Sequence, residues 1–330
     1  MTAHKIKPVD IFKAQRIISS VVRKTPLKKS IDLSIKTGKN VFYKLEFLQD
    51  TGSFKVRGAA NFLLHLDSAK QKRGVVTYST GNHGRATAYI ADRIGSKARV
   101  CLSNNVPDNK RKEIEKAGGE LIVYGKNQDE AECRALELRE QEGYSVVPPF
   151  DDLYIIAGQG TIGLEIMNVL PEVDSILVPL SGGGLISGIA IAVKYINPDC
   201  KVIGVSMDRG AAMAESLKQG KPVQVEEVQT LADSLQGGIL LHNKYTFDIV
   251  REYVDDIILV TEKEIALGIT YAFEQDHYVL EGAAAVGIAA LLSGKINNCG
   301  ENVVVITTGG NIDKRQFLSV ISDSKNHSDF

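Results

Sequence analysis

The chain has 330 residues, 44% of them hydrophobic, enough to bury one large core or two moderate ones. Its 39 basic and 40 acidic residues leave a net charge of -1, which speaks against the one-signed surface of a nucleic-acid or anionic-membrane binder. Cys101, Cys133, Cys200 and Cys299 are widely spaced without a Cys-x-x-Cys pair, which argues against structural zinc and for a reducing compartment. No apolar signal region opens the chain and no run reaches transmembrane length, so a cytoplasmic protein is expected.

In chain order, the first fifty residues are too few for a domain of their own and are expected to pack onto the C-terminal part. Thr51-Gly52-Ser53-Phe54-Lys55-Val56-Arg57-Gly58 then reads as a turn entering a helix. Gly52 permits the turn, Ser53 can cap the helix, and Phe54 offers an apolar wall beside a ring. Short β-branched runs alternate with amphipathic ones from there on. Strands are expected at Val75–Tyr78, Ala98–Leu102, Glu120–Val123 and Ser145–Val147, with helices at His83–Ile94, Asp108–Ala117 and Gln128–Glu142 between them. Pro148-Pro149 can continue neither element and marks a crossing point. Strands resume at Ser175–Pro179, Lys201–Val205, Ile257–Val260 and Asn302–Thr307, with helices at Leu185–Lys194, Glu262–Asp276 and Ala284–Leu292. This alternation predicts an α/β protein of two units, each a mainly parallel sheet covered by helices on both faces. Residues 1–66 and 149–330 are expected to form a discontinuous larger domain and 67–148 a smaller one inserted in it.

Ligands in such folds sit at the carboxyl ends of parallel strands, so the turns there carry the functional signal. Ser79-Thr80-Gly81-Asn82-His83-Gly84, between a strand and a helix, offers unpaired N–H groups to a carboxylate or phosphate. Ser181-Gly182-Gly183-Gly184-Leu185 is a better phosphate cradle, and without a following Gly-Lys-Ser/Thr it is not a magnesium-nucleotide loop. Gly158-Gln159-Gly160-Thr161-Ile162-Gly163 matches the dinucleotide fingerprint and opens a remote alternative, an NAD-binding oxidoreductase. The run before it is short and Asp174 precedes a strand instead of ending one, so a helix start packed closely on the sheet is the better expectation. Thr307-Thr308-Gly309-Gly310-Asn311 places a neutral hydroxyl at a strand end, where an Asp would hold a heteroaromatic nitrogen protonated.

Lys55 gains its meaning from these turns. A lysine amine, with an ordinary pKa of about 10.4, becomes a nucleophile only when deprotonated, and it can then condense with an aldehyde cofactor. Taken alone, one lysine among 39 basic residues is more readily a solvated helix face.

Ser-Phe-Lys55-x-Arg-Gly, Ser-Thr-Gly-Asn-His-Gly, Ser-Gly-Gly-Gly-Leu and Thr-Gly-Gly-Asn together resemble the fold type II pyridoxal-phosphate enzymes of the threonine/serine dehydratase and serine racemase family, over about residues 5–320. A narrower likeness, to the hydroxyectoine utilization dehydratases, rests on Gly204–Met213 and Leu231–Leu235. The resemblance implies a two-domain, tryptophan synthase β-like fold, pyridoxal 5'-phosphate as cofactor, an amino-acid substrate and a homodimer. It implies that Lys55 carries the cofactor and takes the Cα proton, that Gly182, Gly183, Gly184 and Leu185 hold the phosphate, and that Asn82 bonds the ring hydroxyl. Phe54 would pack beside the ring, Thr308 would face its nitrogen, and Ser79, Thr80, Gly81, Asn82 and His83 would enclose the substrate carboxylate. The implied reaction eliminates water from a β-hydroxy amino acid to give a 2-keto acid and ammonia.

Four departures from the family pattern add expectations. Thr80 stands where racemases carry a proton-donating Ser and common dehydratases an Ala, so a serine or hydroxy-amino-acid racemase is the alternative. Ser206 and Ala212 replace the carboxylates of the family's cation site, so no metal is expected. Arg209 is expected to contact a polar or anionic substrate end, and Ser234, in place of a Gly, to favour a polar side chain. With no regulatory domain after the catalytic unit, end-product allostery is not expected.

Overall fold

The computed structural model describes residues 6–324 apart from 80, 107, 127 and 297. The N-terminal part runs α1 (Pro8–Ile18), β1 (Leu27–Lys29), α2 (Ile31–Thr37), β2 (Asn40–Lys44), α3 (Lys55–His65) and α4 (Ser68–Arg73). A βα series follows: β3 (Val75–Thr77), α5 (Asn82–Arg93), β4 (Ala98–Leu102), α6 (Asp108–Lys116), β5 (Gly119–Val123), α7 (Gln128–Glu142) and β6 (Ser145–Val146). The chain continues through α8 (Leu153–Val169), β7 (Ser175–Pro179), α9 (Gly184–Ile196), β8 (Lys201–Met207), α10 (Ala212–Gln219) and α11 (Thr246–Tyr253). It ends with β9 (Asp256–Val260), α12 (Glu262–Glu274), α13 (Gly282–Leu292), β10 (Asn302–Ile306) and α14 (Lys314–Ser324).

Two sheets result. The larger has the order β1-β2-β10-β7-β8-β9, antiparallel only at its β1 edge, and the smaller the all-parallel order β5-β4-β3-β6. The first fifty residues supply β1 and β2 and thereby extend the C-terminal sheet. β7 is buried at every position and β8 and β10 at all but their first, as continuous apolar runs in a sheet covered on both faces should be. α8 and α13 are apolar all round and buried along most of their length, the pattern of central helices and not of surface ones. Asp152 starts α8 by accepting hydrogen bonds from the Tyr154 and Ile155 amides, and a Thr261/Glu264 capping box starts α12.

The dinucleotide reading falls here. Gly158, Gly160 and Gly163 lie inside α8, past its first turn, and they are points of close helix contact. A Cβ on Gly158 would meet the Arg57 carbonyl of α3 at 2.5 Å, and one on Gly160 the Gly188 carbonyl of α9 at 2.8 Å. The motif is neither a helix start nor a phosphate turn. α3 likewise begins without Ser53 as its cap: the cap position is Phe54, and the Ser53 hydroxyl is buried with no hydrogen-bond partner.

Because both sheets are parallel, their functional turns gather at carboxyl ends. Ser79 and Gly81 follow β3, Ser181–Gly183 follow β7, and Thr308 follows β10; all of them open into one cavity, joined there by the start of α3.

Candidate active site

The cavity encloses about 1020 Å³. Phe54, Lys55, Ser79, Gly81, Asn82, His83, Gly182, Gly183, Gly184, Leu185, Ser234 and Thr308 all line it, so most of the sequence-predicted residues come together. Thr80 lies outside the described residues.

Lys55 is the first residue of α3. Its Nζ donates to the Pro149 carbonyl at 2.9 Å and lies 5.3 Å from the centre of the Phe54 ring. Burial pushes the amine down to about 8, against the opposing pull of the Glu281 carboxylate. The positive end of the α3 dipole works in the same direction as burial. Gly52, at φ +72, makes the turn that delivers this helix start.

The opposite face of α3 is held by a buried charge cluster. Arg57 donates to both oxygens of Glu46, at 2.8 Å each, and to Glu165 at 2.7 and 2.9 Å. Lys44 adds a 2.6 Å bond to Glu165 and others to Thr25, whose hydroxyl bonds Glu46. Two cations thus face two anions, every one of them buried.

His83 is locked in place. Its Nε2 donates to the Val147 carbonyl at 3.0 Å, and burial, with the Lys55 charge adding to it, pushes the ring down to about 3, so the imidazole is neutral. Thr77 donates to the same carbonyl at 3.1 Å, so the crossing segment Val147–Pro149 that receives Lys55 is itself clamped. Asn82 begins α5 and donates to both Glu281 oxygens, at 2.8 and 3.1 Å, while accepting from Asn311 at 2.6 Å. Asn311 in turn accepts from Arg85, which also pairs with Glu113 at 3.0 Å. This chain of bonds joins α5 and α6 of the smaller sheet to the loop after β10. Burial pushes the Glu281 carboxyl up to about 7, although the Asn82 bonds oppose the shift.

The glycine loop is shaped by what surrounds it. A Cβ on Gly182 would meet the Phe150 ring at 2.5 Å and one on Gly184 the Phe150 carbonyl at 2.8 Å. Gly183, the N-cap of α9, sits at φ +87 in the left-handed region. The result is a bare backbone leading into a helix N-terminus, a seat for a polyanionic group. Thr308 is 2% exposed, and its Oγ1 has no hydrogen-bond partner among the described residues.

Other expectations fare differently. Arg209 is absent from the cavity lining; its guanidinium lies on the surface, 3.9 Å from Asp208 and 4.0 Å from Glu262, so the expected substrate contact is not what the geometry shows. Ser234 lines the cavity with its hydroxyl 3.3 Å from Asp233. Ser206 turns its hydroxyl to the Met207 sulfur, and Ala212 is buried at the start of α10. Sequence reasoning missed Glu281, Asn311 and Arg85. A signal for Glu281 existed: it is the only Asp, Glu, Lys or Arg between Asp276 and Lys295, directly before a helix of small apolar residues.

Comparison with known proteins agrees with this geometry. Residues 18–309 match the family described as pyridoxal-phosphate dependent enzyme. A Sinorhizobium fredii protein, provisionally named a threonine dehydratase, is 50% identical over 312 residues, which is 94% of each chain. An L-threonine ammonia-lyase of Thermotoga maritima is 43% identical over 313 residues, covering 95% of this chain and 77% of that protein. Among solved structures, maize serine racemase superposes with a TM-score of 0.90 at 32% identity, covering 98% of this chain and 99% of that one.

Proposed function

Because the chain belongs to the pyridoxal-phosphate dependent enzymes, we propose that it is a lyase that eliminates water from a β-hydroxy amino acid of the serine or threonine type, releasing a 2-keto acid and ammonia. Its cofactor is pyridoxal 5'-phosphate.

The residues present fit that cofactor. Packing against Phe150 leaves no room for a side chain at Gly182 or Gly184, so the loop presents bare backbone to a phosphate, and the unpartnered Thr308 hydroxyl is a ready neutral partner for a ring nitrogen. Gly182, Gly183, Gly184 and Leu185 would hold the phosphate, Phe54 would flank the ring, and the Asn82 amide would bond its hydroxyl. When bound, pyridoxal phosphate supplies a carbonyl that captures amines and an electron sink for the pair left at Cα.

The chain's own groups do the rest. Lys55 Nζ, its pKa lowered by burial to about 8, is the base that takes the Cα proton. Backbone N–H groups of Ser79, Gly81, Asn82 and His83, with Thr80, orient the substrate carboxylate. The neutral His83 adds no charge there. Glu281 and Asn311 fix the Asn82 amide. Residues 67–148 form the smaller domain that closes over the substrate and excludes water, and residues 1–66 with 149–330 form the cofactor-binding one. The family resemblance supports a homodimer, and the free cysteines support a cytoplasmic setting.

The observation that carries elimination is the neutral Thr308 hydroxyl in the same cavity as Lys55. An acid at that position would protonate the ring and favour chemistry that needs full charge delocalisation; a hydroxyl favours early expulsion of the β-hydroxyl. Racemisation is the second reading, supported by the likeness to maize serine racemase. The roomy cavity and Ser234 support a substrate side chain more polar than that of threonine, in line with the hydroxyectoine-related likeness.

One experiment tests these readings together. The purified holoenzyme is given serine, threonine, 3-hydroxyaspartate and an acylated 3-hydroxy-diamino acid, with keto acid and stereochemical inversion scored separately. Keto acid from at least one substrate is expected, and Lys55→Ala lowers that rate by about a thousandfold or more. Inversion without keto acid would replace the lyase with the racemase, and undiminished turnover in Lys55→Ala would end the mechanism.

A further inference from the structure

Gln159 has no part in the site derived above. It lies in α8 between two glycines that bring α3 and α9 close, is 1% exposed and lines the cavity. Its carboxamide oxygen is enclosed with no hydrogen-bond partner among the described residues. A buried acceptor left without a donor is strongly disfavoured, so the group this atom lacks is an N–H or O–H.

The neighbourhood narrows the donor. The Gln159 amide packs on the first turn of α3, where a Cβ on Gly58 would lie 2.5 Å from Nε2, and Gly58 is one turn beyond Lys55. The His83 ring proton is committed to Val147 and the Asn82 amide hydrogens to Glu281. Lys55 Nζ donates only to Pro149 among the described residues, yet it carries at least two N–H groups in either protonation state. A phosphate or carboxylate is an acceptor and does not answer the need.

We propose that Gln159 is a positioning residue for Lys55: its carboxamide oxygen takes an N–H of the Lys55 amine when that amine turns from Pro149, giving the amine two fixed seats. In either seat, the direction of the nitrogen lone pair is set by a protein group and not by free rotation of a long side chain. The inference rests on the assignment of Lys55 as the cofactor-binding amine.

The test uses cofactor capture and needs no turnover, so it stands apart from the choice of reaction. Full-length protein freed of cofactor is titrated with pyridoxal phosphate and with pyridoxal, which lacks the phosphate. Gln159→Met weakens capture of both by the same factor, about tenfold. A loss confined to pyridoxal phosphate would assign the carboxamide to the phosphate end and overturn the proposal, as would undiminished capture of both. Should the methionine variant not fold, Gln159→Glu decides: a carboxylate beside the amine raises the midpoint of the pH profile of pyridoxal capture by about one unit or more, and an unmoved midpoint overturns the proposal. Lys55→Ala is the control. If it still captures both aldehydes, the assignment of Lys55 fails first and Gln159 with it.

Discussion

Helix α3 carries two cations two residues apart, and they face opposite kinds of surroundings. Arg57 points into a cluster where Glu46, Glu165, Thr161 and the Arg23 carbonyl together occupy its guanidinium. Lys55 points into a cavity where one carbonyl receives it and two polar atoms, the Thr308 hydroxyl and the Gln159 amide oxygen, have no hydrogen-bond partner among the described residues. Buried charge is tolerable when it is paired and hydrogen-bonded, and the Arg57 side meets that condition in full. The Lys55 side does not meet it, and the amine responds by giving up its proton more easily. The saturated face fixes the helix, and the unsaturated face is left for a ligand to complete.

Breaking the saturated face gives the largest effect of the three substitutions below. Arg57→Ala leaves Glu46 and Glu165 buried with only Lys44 to balance them, at a cost of about 3–5 kcal/mol. The midpoint of urea unfolding should fall accordingly. Arg57→Lys should recover only part of the loss, because one ammonium cannot reproduce the forked contacts to two carboxylates. A full-stability Arg57→Ala protein would show that the cluster does not anchor α3.

Much of this division was legible in the sequence, and what was not has physical reasons. The parallel strands Ala98–Leu102 and Ser175–Pro179 were readable to the residue, because runs buried on both faces are mostly apolar, with Arg99 the one charge in them. That the glycine loop and Thr308 reach the cavity was readable because strand-end position and residue type carry the signal there. The cluster was not: Lys44, Glu46, Arg57 and Glu165 are spread over a strand, the short turn after it and two helices, and each looks like an ordinary surface charge until the fold brings them together. Glu281 stood out as a lone charge before an apolar helix, but its partner Asn82 lies 199 residues away, so its role was not readable. The fingerprint at Gly158–Gly163 was rightly set aside but misplaced at a helix start, because glycines that let helices approach inside a helix and glycines that cradle phosphates are the same letters. Arg209 misled because a loop position beside the expected site does not fix where a long side chain points.

Gly183→Ala probes the unsaturated face. Its φ of +87 is strained for any L side chain, and the new Cβ would meet the Met213 Cε at 2.8 Å and the Thr246 Cβ at 3.0 Å. Backbone strain alone is worth about 1–3 kcal/mol. Part of that should appear as a lower melting temperature without cofactor. The remainder should appear as weaker retention of pyridoxal phosphate on dialysis, since the loop cannot keep its amides aimed at the phosphate. Unchanged retention would detach the loop from cofactor binding.

Glu281→Gln is the mildest substitution and bears most directly on the difference between the two faces. The Glu281 charge holds the proton on Lys55, so its removal should lower the amine further below about 8 and move the acid limb of activity to lower pH by less than about one unit. Stability of the cofactor-free protein gives an independent sign. A carboxyl raised from 4.5 to about 7 binds its proton more tightly folded than unfolded, so Glu281 erodes stability as pH rises through that interval. An amine lowered from 10.5 to about 8 does the reverse, and stability recovers as pH rises between those values. The glutamine variant should therefore lose the decline between 4.5 and about 7 while keeping the recovery above about 8. An acid limb that stayed in place or moved to higher pH would show that the Glu281 charge does not hold the proton on Lys55.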